Sequence, residues 1–236
     1  MNTPPAQREN KLFFWAHSLL LAVVLVGFGR SFFLRPLFAT SVLPTPLALH
    51  GAVLTAWFML TALQGWSALT RRRSWHARTA WLAFPLVVGV VLSGFSVNTA
   101  LALQIASAQD PENMFIWGNY MSLLSFIVLV VLAVARRREL AAHRRLMLFA
   151  SIAIIGPAFA RFAFWPVFGN SGLVLAPAFA GVGMLLSVAG AIGYDIATLR
   201  KPQAATWIGL AGILVPLVAG TGVALSGVGF ALLHRG

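Results

Sequence analysis

Four residues are the best suited to chemistry in this 236-residue chain. His17 lies near the start of the first long apolar run, His76 and His143 open later runs, and Asp195 closes another. Neutral imidazole is the commonest metal ligand, and a carboxylate adds an oxygen donor. At one depth, the four would suit a divalent metal. Through the imidazoles, with His50 as a further candidate, they would suit the iron of a haem b. A metal-bound water held by His17, His76, His143 and Asp195 would suit a metal-dependent membrane hydrolase. His76 and His143 equally fit solvated loop residues, since each sits among arginines. Asp195 equally fits a helix-end ion pair with Arg200 or Lys201, worth little to stability. The sequence names no catalytic residue.

A second group is polar for a different reason. Arg30, His50, Asn98, Asn119, Tyr120 and Arg161 fall within or at the ends of apolar runs. Arg161 is the most informative, because an unpaired arginine in lipid-spanning sequence costs several kcal/mol. Asp110 and Glu112 lie in a loop, so no acidic residue matches its depth. Arg161 therefore calls for backbone carbonyls, a water-filled cavity, or an anion such as a ligand carboxylate or haem propionate. Snorkelling to the interface is the plain alternative. A cavity near Arg161 would serve a transporter or a membrane protein that binds lipid or a small anion. Gln64 shares a helix face with Trp57 and is a candidate interhelical hydrogen-bond donor.

The elements that must position these residues are apolar helices. The chain is 59% hydrophobic and 9% charged, against about 25% charged in soluble domains. Its apolar runs are of bilayer-spanning length, and in lipid such runs must be helical to satisfy their own backbone. The expected fold is all-α: a tail over 1–11, then a polytopic transmembrane bundle of seven helices near 12–34, 47–69, 79–103, 114–135, 146–164, 173–197 and 204–233. The last run is long enough that it must tilt, bend or end early. Its glycines, Gly220, Gly222, Gly227 and Gly229, suit close helix packing.

Arginine and lysine set the expected orientation. Arg71, Arg72, Arg73, Arg78, Arg136, Arg137, Arg138, Arg144, Arg145, Arg200 and Lys201 all follow even-numbered runs. The positive-inside rule then predicts a cytoplasmic N-terminus, an external C-terminus and a multi-pass protein of a bacterial-type cytoplasmic (inner) membrane. The bundle reads as one helix plus three hairpins. The turn R-R-R-S-W-H-A-R at 71–78 resembles R-R-R-E-L-A-A-H-R-R at 136–145, while the third turn has Gln203 in place of histidine. Pro85, Pro157 and Pro216 are expected in the interiors of the three return helices. An internal two-helix repeat would explain this, as would any three hairpins obeying the charge rule.

Several function classes fall away. The net charge of +12 is accounted for by topology and comes without the aromatic platform of a nucleic-acid binder. With no cysteine, disulfides and thiolate sites are excluded. No H-E-x-x-H, Walker loop or G-x-S-x-G occurs. Lys11 and Lys201 are both expected outside the helices, which would exclude a retinal Schiff base.

The stretch H-R-R-L-M from His143, with Arg161 toward the far end of the same run, resembles the H-[RK]-x-x-M at a helix start in a cytochrome c oxidase assembly family and its uncharacterised relatives. The stretch L-H-G-A-V-L-T-A-W-F-M-L-T-A-L-Q from Leu49 to Gln64, and Tyr194-Asp195, look like an uncharacterised bacterial membrane family. The resemblance touches about a third of the chain. It gives weight to His50, His143, Arg161 and Asp195. It implies haem or respiratory-chain biology, with respiratory-chain components as partners. The family pattern has a histidine near position 203, where this chain has Gln203.

Overall fold

The computed structural model describes residues 5–234, and among these every regular element is helical. In chain order they are α1 (Pro5–Gly27), a π-helical turn (Gly29–Phe33), α2 (Arg35–Phe38), α3 (Thr45–Leu69), α4 (Arg73–Ala80), α5 (Ala83–Ala102), α6 (Pro111–Ala135), α7 (Leu140–Ala153) and α8 (Gly156–Arg161). Two short 3-10 turns, α9 (Gly172–Leu199), α10 (Ala204–Leu225) and α11 (Val228–Leu233) follow. Six helical segments are long and apolar enough to cross a membrane, or up to seven if Leu140–Ala153 and Gly156–Phe164 form one bent span.

Local chemistry sets the boundaries. The helix α6 starts where the Asp110 carboxylate accepts the Glu112 N–H at 2.9 Å and Pro111 takes the first turn. Proline is tolerated there because its missing N–H would have no helical partner. The same preference moves α1 forward. It begins at Pro5 and runs on through Arg8, Glu9 and Lys11, all adequate helix formers. Lys11 therefore lies inside a helix, exposed on its surface, and the absence of a helical lysine no longer excludes a Schiff base. Pro85 sits in the first turn of α5 and Pro157 opens α8; of the three prolines expected in return helices, Pro216 alone lies in an interior. Pro177 lies inside α9, the first helix of its hairpin, so the prolines carry no repeat. The last run stops at Leu225, where Gly227 turns the chain with φ 70° before α11.

The chain divides into two compact units, the first comprising 1–90 and 155–187, the second 91–154 and 188–236. In the first, α1 packs along α3, and α8 rests against α1. The register is antiparallel: Gly65 abuts the Phe14 backbone at one end and Gly51 faces the Phe32 ring at the other. Trp57 and Phe58 are fully buried in this unit. In the second, α6 packs against α7 and α10, and α7 against α10. Gly209 lies on the Phe149 ring, Gly212 on Leu129, and Gly220 against the Trp117 carbonyl. Small residues at these points let the helices approach closely, the usual basis of association in lipid.

Candidate functional site

Three polar constellations stand out, one in the first unit and two in the second. The first is built where α1 gives way to the π-turn. There Phe33 and Leu34 donate backbone hydrogen bonds to Phe28 and Gly29, at 3.3 and 2.7 Å. Such single π-turns recur at functional sites. The turn presents Arg30, whose guanidinium donates to the Phe164 carbonyl and lies over the Phe38 ring at 5.7 Å. Arg161, the last residue of α8, lies 5.7 Å from the Phe164 ring and 5.9 Å from Phe28. Trp165 closes the same corner, its indole N–H donating to Val26 at 3.2 Å. Phe164 thus carries one arginine on its carbonyl and a second beside its ring. His50, half-buried, precedes Gly51 at the level of Phe32 and so belongs to this end of α3.

Charge is unbalanced in this corner. The first unit holds a single carboxylate, Glu9. Glu9 is 21 positions before Arg30, roughly 30 Å away along helical backbone. Among the described residues Arg161 makes no hydrogen bond or ion pair, only the two ring contacts. Two surface depressions, along 199–204 and 36–41, are not lined by Arg161; the second runs past Phe38.

The second constellation is a buried ion pair. Arg145 and Asp195 have side chains only 3% and 1% exposed, with Nη2 to Oδ1 at 2.6 Å. Arg145 Nε also donates to both carboxylate oxygens, at 3.0 and 3.2 Å, and its Nη1 donates to the Ala141 carbonyl at 3.0 Å. Asp195 further accepts the Gln203 N–H at 3.1 Å and the Thr206 hydroxyl. Asp195 is therefore not an exposed partner of Arg200 and Lys201, and Arg145 is not simply a loop charge. Adjacent helix residues point about 100° apart. Of the doublet Arg144-Arg145, Arg145 falls on the buried stripe with Ala142, Leu146, Phe149 and Ile152. That periodicity was available in the sequence, but the run of arginines masked it. Thr206 and Gln203 carried no comparable signal.

The third constellation ties α5 to α6. The Asn98 amide donates to the Ile116 carbonyl at 2.9 Å, and Asn119 donates to Asn98 Oδ1 at 3.3 Å. Thr99 and Tyr120 share a hydrogen bond of 2.7 Å. Asn113, in the first turn of α6, donates to the Ala108 and Ala224 carbonyls at 3.0 and 3.1 Å. All these groups are neutral, and they fasten helix ends together.

The histidines are held individually. His143 donates from Nδ1 to the Ala133 carbonyl at 2.9 Å, tying the start of α7 to the end of α6. His76 is half-buried, with Nδ1 3.4 Å from Ser67 Oγ and its carbonyl accepting from Gln64 Nε2 at 3.3 Å. Gln64 also donates to Thr79 Oγ1 at 2.9 Å, so it links α3 to α4. His17 is buried on α1. By the α1–α3 register it lies near Ala62, some 12 residues from His50 and so roughly 18 Å from it. That spacing is too long for two ligands of one iron. Among the described residues no three His, Asp or Glu side chains form a metal-ligand group. Of the expected metal set, His17 and His76 lie in the first unit and His143 and Asp195 in the second.

Comparison with known proteins returned no match: no family model, curated protein or solved structure corresponds to the chain.

Proposed function

We propose that this chain is a multi-pass membrane protein that binds an anionic amphiphile or small organic anion between Arg30 and Arg161. The observation that carries the reading is the pairing of these two arginines around Phe164 in a unit whose one carboxylate lies at the other end of α1. Arg30 is half-buried and Arg161 is exposed on the helix surface; in lipid-spanning sequence a guanidinium needs a counter-charge or acceptor, and its planar fork matches a carboxylate or phosphate bidentately. Phe28, Phe38, Phe164 and Trp165 offer the apolar wall that a ligand tail requires. The positive-inside rule places this corner at the outer end of the bundle. Transport of such a ligand, or its retention as a bound lipid, is the activity this arrangement suits. The haem and metal readings draw no support from a ligand group among the described residues.

The test is selectivity for charge at constant tail. Dodecanoate and dodecanol are titrated into the purified protein in maltoside micelles, and binding is followed by intrinsic tryptophan fluorescence. The reading expects saturable binding of dodecanoate at least tenfold tighter than of dodecanol. Equal affinities would show that the corner reads only hydrocarbon.

A further inference from the structure

We propose that the turn between α3 and α4 is a binding site for the phosphate of an anionic phospholipid. Two described residues other than glycine have positive φ, Arg71 at 59° and Arg200 at 63°. This left-handed conformation crowds Cβ against the backbone and is adopted routinely by glycine alone. At Arg71 the reason for the conformation is plain. The Arg72 N–H donates back to Ser67 at 2.8 Å and the Arg71 N–H to Ala68 at 3.3 Å. This is the helix-ending turn whose left-handed residue is usually glycine. Arginine occupies a position that glycine would fit with less strain, so the charge serves something other than the turn.

The surroundings name the partner. Arg71, Arg72, Arg73 and Arg78 are all exposed, and Arg72 lies over the Trp66 ring at 4.8 Å. Trp75 and Trp81 are 49% and 82% exposed on the same short stretch. The Asn10 side chain donates to the Ala68 carbonyl at 3.0 Å, which brings Arg8 and Lys11 of α1, along with the carboxylate of Glu9, to this end. Six cations against one carboxylate leave a strong positive excess. Tryptophans at its edge are the residues that settle at the headgroup level, and juxtamembrane arginine clusters attract anionic lipid. The occupant that matches is a phosphodiester headgroup carrying net negative charge, with its acyl chains beside the apolar surface of α3 and α5. Arg200 repeats the left-handed arginine after α9, beside Lys201 and a depression lined by Leu199 and 201–204.

The left-handed position allows a clean test, because Arg71→Gly removes the charge while suiting the backbone. The full-length protein in maltoside micelles is titrated with phosphatidylglycerol or phosphatidylcholine, and Tm is recorded at each lipid ratio. Wild type is expected to gain Tm with phosphatidylglycerol and much less with phosphatidylcholine. Arg71→Gly should keep or raise the lipid-free Tm and lower the apparent phosphatidylglycerol affinity about fivefold, the loss expected for one surface charge. Arg71→Gly combined with Arg73→Gln should lower it further, and Arg71→Lys should retain most of it. The proposal is overturned if the two lipids protect wild type equally, or if phosphatidylglycerol protects Arg71→Gly as it does wild type. A fall in lipid-free Tm on Arg71→Gly would equally overturn it, since the side chain would then serve the fold.

Discussion

Asp195 shows how a single carboxylate can hold three helices. It accepts from Arg145 on α7, from the Gln203 N–H at the entry to α10, and from Thr206 within α10, while itself standing on α9. With both side chains almost completely buried, the pair is stable only as a pair. Removing one partner strands the other charge in a low-dielectric interior, an effect of about 3–5 kcal/mol. Asp195→Leu and Arg145→Met should each lower unfolding stability in micelles by that order. The double variant Arg145→Met, Asp195→Leu should recover a large part of the loss. Strictly additive single losses in the cycle would show that the two residues act independently. Asp195 was legible as an intramembrane acid because so few acids occur. Its partner was not, since the nearest charges in sequence, Arg200 and Lys201, are not the nearest in space. Arg161 was legible because a charge in lipid-spanning sequence is costly, but Arg30 gained its meaning only when the Phe164 carbonyl appeared beside it.

At the scale of elements, glycine decides how closely helices pack. A Cβ at Gly27 would collide with the Ala158 carbonyl oxygen, where α1 meets α8, whereas a Cβ at Gly118 on α6 would meet nothing within 4 Å. Gly27→Ala should therefore destabilise the first unit, by about 1–3 kcal/mol as over-packing usually does, and Gly118→Ala should not. Thermal unfolding of the two variants side by side measures the difference; equal Tm values would mean that α1 and α8 separate freely. The long helices were readable because hydrophobicity and length coincide in lipid. Their ends were less so. Pro5 opens α1 ahead of the apolar run, and the break before Gly156 and Pro157 splits a run that hydropathy reads as continuous. The π-turn over Gly29–Phe33 left no trace in composition, since it differs from an α-helix only in which carbonyl each N–H meets.

At the scale of the molecule, the uneven distribution of arginine predicts an orientation, and the absence of cysteine makes it measurable. Ser74→Cys should be shielded from a membrane-impermeant maleimide in intact cells, while Gln109→Cys and Asn170→Cys should react. The opposite labelling would invert the bundle. The division into two units was not legible in the sequence, because its boundaries fall inside the continuous helices α5 and α9. Arg30 and Arg161 fall in the unit with a single, distant carboxylate. The most direct test of an anion site there is the dodecanoate titration repeated on Arg161→Ala and Arg161→Lys. The account predicts that Arg161→Ala weakens dodecanoate binding at least tenfold, about 1.4 kcal/mol, that Arg161→Lys loses less, and that dodecanol binding is unchanged in both. Dodecanoate affinity in Arg161→Ala equal to that of wild type would contradict it.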